Sequence, residues 1–446
     1  MRIGFGRSDI TPRVGVELAG FGPFITRHSV GVRDKLWARA MAVEQGGRRL
    51  LLISCDLVGV ERWITDCVRS MLAERAGIEP EAVMLHCTHT HSGPNTGGYV
   101  GWGAPDEPYL HMLPRRIAAA GEAALGTLQE AELRHAEVLC DGIGLNREYD
   151  RDAPPLEDVL RDNWRPSKPE LTDTTCHVLR VDAGGKMIGF LSSFGCHPVV
   201  CCAKTRYTHG DYPGVATNRI ETEHDGATGL FLQGANGDVN SCCVHKPEAE
   251  SLHALDVIAG RYASAVQRGL ETAAPVQVDS IAAAQRMVTF TRKPYTLELL
   301  REHLAKQEAV LKDPARTGAD KEARMAMVNA IGLRRMIETL ETGGDLNVPV
   351  ELQGFRIGPL LLLASPFETF QAIKNEVKAA TGAAMTLVLS VTNDSTGYAP
   401  DRTAAARGGY AADTVPWIKA SWPFASIHDE LVREHLATAK ALLESA

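Results

Sequence analysis

Two rhythms of apolar residues run along this chain. Short apolar runs bounded by Gly, Pro and Asn mark strands, and apolar residues recurring every three or four positions mark helices. An opening strand in residues 1–12 closes in the turn Asp9-Ile10-Thr11-Pro12. Residues 35–44 and Arg48–Leu57 then read as a hairpin across Gly46-Gly47. Residues 60–76 put Val60, Trp63, Ile64, Cys67, Val68 and Met71 on one helical face, and Val83–Cys87 is the next strand. The pattern goes on to predict a helix at 108–127, a strand at Ala131–Cys140 and a hairpin of Cys176–Asp182 with Lys186–Cys196. A helix at Pro213–Glu223, a strand at Gly229–Gln233 and a long helix at Ala249–Glu271 follow. Later strands are expected at Val350–Ile357, Leu360–Ala364 and Met385–Val391, with helices at Lys374–Thr381 and 427–445. Segments 150–170 and 399–426 read as loop. Residues 295–342 stand apart as a charged, antiparallel helical pair broken at Asp313-Pro314 and Gly318. That pair covers one side of a site, forms a dimer contact or is a solvated insertion. The fold class that results is α/β (α+β), with mixed β-sheets flanked by helices.

Composition narrows the picture. The chain has 446 residues and a formal charge of -8, which argues against nucleic acid as the main partner. Ten cysteines occur with no CxxC pair, and the neighbours 201/202 and 242/243 do not readily bridge within themselves. Free thiols in a reducing, cytoplasmic setting are expected. No basic segment followed by a long apolar run opens the chain, and its apolar runs fall far short of the roughly 20 residues that span a membrane. Stable membrane insertion is therefore not expected.

Chemistry concentrates where apolar runs end. Val83–Cys87 gives way to Thr88-His89-Thr90-His91-Ser92-Gly93-Pro94, and residues i and i+2 of a strand share a face, so His89 and His91 can reach one space. His86, before the loop, reads as a core histidine. Another apolar run ends in Cys196-His197-Pro198, and a third in Gly234-Ala235-Asn236-Gly237-Asp238. Asp211, in His209-Gly210-Asp211-Tyr212-Pro213, reads as a helix cap. Leu363-Ala364-Ser365-Pro366-Phe367-Glu368 delivers a carboxylate, with helix capping as its alternative use. A fifth run ends in the polar loop that reaches Tyr398. P-loop, HExxH and GxSxG patterns are absent, as is GxGxxG after the first strand, which removes the enzyme classes they mark.

These residues together resemble the neutral/alkaline ceramidase family. His89-Thr90-His91-Ser92-Gly93-Pro94 is similar to its THTHSGP motif. Gly4-Phe5-Gly6-Arg7-Ser8-Asp9-Ile10-Thr11, Asn146-Arg147, Gly210-Asp211-Tyr212-Pro213-Gly214 and Gln233-Gly234-Ala235-Asn236-Gly237-Asp238-Val239 match further segments in order. The resemblance implies one Zn²⁺ held by His89, His197, Glu368 and Tyr398, with Tyr410 competing for the last place. It also implies that His91 and Arg147 bind the amide oxygen and the oxyanion, with His91 as proton donor oriented by Asp211 or Asp238. The family's serine is replaced here by Asn240. The resemblance implies a single catalytic domain over 1–446, with a helical insertion at 295–342 and without the immunoglobulin-like domain of ceramidases. The expected activity is zinc-dependent hydrolysis of an amide (N-acyl) bond in a small or modestly apolar substrate rather than a long-chain lipid. An esterase or lactonase at the same metal, and a non-catalytic metabolite-binding protein, are the alternatives. A homo-oligomer stays open.

Overall fold

Glycine makes the first turn. Trp37–Gln45 and Arg48–Cys55 form the expected hairpin across Gly46 and Gly47, at φ of 59° and 77°, a region glycine enters without steric cost. In this computed structural model, which describes residues 1–98, 100–150, 154–201, 204–383 and 385–445, Arg2–Asp9 adds to one edge of the hairpin antiparallel. Val83–Cys87 adds to the other edge in parallel. A second sheet orders Thr228–Gln233, Lys186–Phe194, Thr175–Ala183, Glu132–Leu139 and Ala274–Val276. A third orders Ile281–Val288, Val350–Ile357, Leu360–Ala364 and Met385–Leu389.

Each of these sheets contains one parallel pair: Arg48–Cys55 with Val83–Cys87, Lys186–Phe194 with Thr228–Gln233, and Leu360–Ala364 with Met385–Leu389. The carboxyl ends of the three pairs meet. Cys87 N–H donates to Val391 O at 3.1 Å, and Ser390 N–H donates to Gln233 O at 3.0 Å. His86 sits between them. Its Nε2 accepts from Gln233 N–H at 2.7 Å and its Nδ1 lies 3.0 Å from Thr392 Oγ1, so one neutral imidazole ties all three sheets together. Burial pushes its pKa down to about 3, in keeping with the core role expected for it.

Apolar packing repeats this convergence. The largest buried cluster draws Leu51, Ile53 and Leu85 from the first sheet, Leu179, Leu191 and Leu232 from the second, and Leu360, Leu362 and Leu389 from the third. Helices Arg62–Ala76 and Glu107–Gly126 cover the first sheet with Ile64, Val68, Leu113 and Ile117. Asp211–Glu223 and Glu248–Thr272 pack on the second, and Gln371–Thr381 and Ile427–Glu444 on the third. The result is the mixed α/β arrangement that the sequence pattern implies. Among the described residues, no helix is long and apolar enough to cross a membrane.

Expectations change in several places, and segment 150–170, read as loop, holds a short helix at Leu156–Val159. Ile281–Val288 is a strand that the pattern does not announce: its alanines favour helix, and continuous pairing with Val350–Ile357 overrides them. Segment 399–426 is not loop throughout, since it contains helices Arg402–Arg407 and Val415–Ile418 and a π-helical turn at Tyr410–Thr414. The helical pair, Leu297–Lys312 and Lys321–Glu341, is antiparallel as expected, with Arg301 on Glu341 and Arg334 on Glu308. Its inner face is packed rather than solvated. Leu300, Leu333 and Met336 are buried against Trp422 and Trp417, and Val328 joins Trp102, Phe370 and Tyr398 in one cluster.

Candidate metal centre

The loop after Val83–Cys87 turns sharply. His89 has φ of 69°, a left-handed conformation that a non-glycine residue adopts only when its surroundings impose it. His89 and His91 therefore meet through a turn beyond the strand, not through strand alternation. Three backbone carbonyls set the rings. His89 Nδ1 lies 2.6 Å from Val58 O, His91 Nδ1 3.0 Å from Gly20 O, and His197 Nδ1 2.5 Å from Asn236 O. A carbonyl only accepts, so each ring carries a proton on Nδ1 and turns its Nε2 inward. His91 Nε2 is 3.3 Å from His89 Nε2. Glu368 Oε2 is 2.8 Å from His197 Nε2 and 3.4 Å from His89 Nε2.

Electrostatics agree with this arrangement. Burial raises the Glu368 carboxyl, but His89 and His197 outweigh it and hold the group well below the usual carboxylate range. Burial, with the Arg147 charge nearby, lowers His197 to about 4, and burial with the neighbouring histidines holds His91 well below its ordinary value. Ligand atoms of His89, His91 and His197 all lie within 4.8 Å of one another, so they form a candidate metal-binding group. Imidazoles with their second nitrogen tied to carbonyls, beside one carboxylate, are a donor set that suits zinc.

Glu368 and Tyr398 arrive as a pair. Phe367–Thr369 and Gly397–Ala399 form a short parallel ladder in which Glu368 is the register partner of Tyr398, so both side chains leave the same face. Glu368 does not cap the next helix, its alternative use, for that helix starts at Gln371 after Phe370. Tyr398 is buried at 9% exposure, with its ring 6.5 Å from that of His197. Tyr410 has its ring 6.0 Å from Tyr398 and is 48% exposed.

Arg147 is placed by local geometry. Gly144–Asn146 pairs with Val239–Ser241, and Asn146 Oδ1 accepts from Glu148 N–H at 3.0 Å, which turns the chain so that Arg147 faces inward. Its Nη2 donates to Gly237 O at 2.5 Å, its Nη1 to Asn240 Oδ1 at 3.4 Å, and its guanidinium lies 5.0 Å from the Tyr398 ring centre.

Neither aspartate touches His91; the group that orients it is the Gly20 carbonyl. Asp211 Oδ1 accepts from Tyr212 and Val200 N–H, and Oδ2 from Cys201 N–H, which ties down the loop that follows His197. Asp211 is the first residue of its helix rather than the cap, which is Gly210. Asp238 Oδ1 accepts from Gln371 N–H at 2.9 Å and Oδ2 from Asn146 Nδ2 at 3.0 Å, so it joins the Arg147 turn to the helix after Glu368. Burial raises both carboxyls to about 6. Gly20 and Phe21 were not among the expected site residues. Gly20 has φ of 107°, and an added Cβ would collide with the His91 ring, while Phe21 packs 5.0 Å from that ring. The Gly-rich run at 19–23 was the available signal. The carbonyls of Val58 and Asn236 leave none.

Fold and site together define a mixed α/β protein with a histidine-rich candidate metal centre at converging strand ends. The chain belongs to the neutral/alkaline non-lysosomal ceramidase family, whose N-terminal model matches residues 1–264. Neutral ceramidase of Pseudomonas aeruginosa is 26% identical over 257 residues, 55% of this chain and 38% of that protein. Neutral ceramidase of Mycobacterium tuberculosis is 25% identical over 252 residues, 52% of this chain and again 38% of the relative. The matched stretch thus spans well under half of either relative. Among solved structures, a ceramidase complexed with C2 superposes with a TM-score of 0.77 at 19% identity, covering 100% of this chain and 75% of that one. The crystal structure of the Pseudomonas aeruginosa neutral ceramidase gives 0.76 at 21%, covering 100% and 74%.

Proposed function

We propose that this protein is a zinc-dependent amidohydrolase that cleaves the amide bond of a small or modestly apolar N-acyl substrate. The observation that carries the reading is the convergence of the imidazole Nε2 atoms with the Glu368 carboxylate. His89, His197, Glu368 and Tyr398 would hold the metal. The register partnership of Glu368 with Tyr398 favours Tyr398 over the half-exposed Tyr410. Zinc bound there supplies a Lewis acid and brings the pKa of a water towards about 7.

This chain's own residues do the rest. His91 Nε2, fixed as an acceptor by the Nδ1 bond to Gly20 O, takes a proton from the attacking water and delivers it to the amine nitrogen as the C–N bond breaks. Arg147 sets its charge against the negative oxygen that develops on the carbonyl. Asp211 and Asp238 act as positioning residues, one for the loop after His197 and the other for Arg147 and the helix after Glu368. Asn240 in place of the family's serine supports a substrate other than a long-chain lipid. Residues 1–446 work as one catalytic unit in which 295–342 is an inserted wall. Buried free thiols such as Cys55, Cys87 and Cys140 support a reducing compartment such as the cytoplasm.

Zinc content and matched substrates test this. A His89→Ala/His197→Ala variant should lose one zinc equivalent and its turnover of N-acyl substrates. An unchanged zinc content in that variant would sink the ligand set. Faster cleavage of the matched O-acyl substrate by wild-type protein would reassign the bond.

A further inference from the structure

A second group of side chains able to hold a metal ion lies outside this centre, on the second sheet. Glu132–Leu139 and Thr175–Ala183 run antiparallel, with Glu137 directly opposite His177. His135, two residues before Glu137 on the same strand, shares its face. The three side chains meet: His135 Nε2 is 3.3 Å from His177 Nδ1, and His177 Nδ1 is 3.4 Å from Glu137 Oε1. Donors bound to one zinc at about 2.1 Å in a tetrahedron stand about 3.4 Å apart. The observed spacings are those of a tetrahedral edge.

Both imidazoles are neutral at pH 7, as a metal requires. Burial and then Lys378 lower His177 to about 3, and burial lowers His135. Glu137 is exposed and His177 buried, so the group is anchored on one side and open to solvent on the other.

We propose that His135, Glu137 and His177 form a second zinc site, separate from the catalytic centre and gated by Lys378. Lys378, on helix Gln371–Thr381, places Nζ 3.2 Å from His177 Nε2. An ammonium only donates, so Nε2 is the acceptor and the ring proton sits on Nδ1. Zinc on Nδ1 moves that proton to Nε2, which then faces the Lys378 ammonium donor to donor. Metal and lysine therefore compete for one ring, with no net change in protons.

The test is zinc stoichiometry, measured by mass spectrometry after stripping with chelator, reloading with zinc and dialysis. Wild-type protein should hold about two zinc ions per chain. A His135→Ala/His177→Ala variant should hold one fewer and keep its turnover of N-acyl substrates. The His89→Ala/His197→Ala variant should also hold one fewer, and lose turnover. Lys378→Gln should lower the zinc dissociation constant of the second site, read by competition with a chromogenic chelator. Thermal unfolding of every variant in chelator serves as the folding control. Wild-type protein with a single zinc, lost only on changing His89 and His197, would overturn the second site and leave the first intact. Unchanged affinity in Lys378→Gln would overturn the gate.

Discussion

At the scale of single residues, the site depends on which atom of each side chain is already occupied. His89, His91 and His197 are ordinary imidazoles until a carbonyl accepts a hydrogen bond from Nδ1 and turns Nε2 towards the others. Tyr398 and Tyr410 are chemically identical and only 6.0 Å apart between ring centres, so position alone separates them. Tyr398 shares its register with Glu368, and the Arg147 charge lies over its ring. Tyr398→Phe should therefore weaken zinc binding and N-acyl turnover by about 10- to 100-fold, the range typical of groups that hold or orient a metal. Tyr410→Phe should change either quantity much less. A chelator titration with initial rates on both variants decides, and a larger effect at Tyr410 would exchange the two roles. Much of this residue scale was legible in the chain, because His89, His197 and Glu368 each follow an apolar run. What could not be read was the partner of each nitrogen, since a backbone carbonyl is the same group at every position.

Among the elements, the helical pair at Leu297–Lys312 and Lys321–Glu341 decides most. Its charged sequence reads as solvated, yet it presses on the segment that carries Tyr410. Gly332 has no room for a side chain, since an added Cβ would meet the Trp417 carbonyl oxygen. The His303 ring lies tilted 4.8 Å from the Trp417 ring, and Val328 and Met325 pack into the cluster around Tyr398. Gly332→Ala removes a flexible residue from a helix, which favours folding by up to about 1 kcal/mol. The clash of overpacking costs about 1–3 kcal/mol and should prevail. A lower urea midpoint together with a raised KM for the N-acyl substrate is the expected outcome. A higher midpoint with unchanged KM would show that the two segments do not bear on each other. The pattern gave the helices of this pair their limits to within a few residues, because periodicity is local. Where they dock depends on Trp417 and Trp422, more than seventy residues further along, and no local rhythm carries that.

Across the whole molecule, three sheets are held together by buried polar groups as well as by leucines. His86 spans the sheet ends, His209 is buried against the 89–94 loop, and His435 is buried with no hydrogen-bond partner on either ring nitrogen among the described residues. Burial lowers these histidines to about 3, 3 and 4. A histidine whose folded pKa is depressed contributes stability that is fully present above the unfolded value near 6.5 and is lost as pH falls below it. Asp211 and Asp238, raised to about 6, work in the opposite sense and gain stability as pH falls through 6. The histidines are more numerous and more strongly shifted. Metal-free protein should therefore lose on the order of 3 kcal/mol between pH 7 and pH 5. Urea midpoints across that range measure it, and His435→Leu should flatten the slope. A midpoint that does not move with pH would contradict the neutral, buried state of these rings.

The sequence by itself determined the alternation of strands and helices, the sites where apolar runs end in chemistry, and the family resemblance carried by the 89–94 loop. Alternation, periodicity and turn residues act over a few positions, so they are written locally. Only the tertiary structure decided that His89 and His91 meet through a left-handed turn, that Gly20 rather than an aspartate orients His91, and that Glu368 and Tyr398 share a register. It also decided that Ile281–Val288 becomes a strand. Each of these is settled by residues distant in the chain, brought within hydrogen-bonding distance only when the three sheets close on a common core.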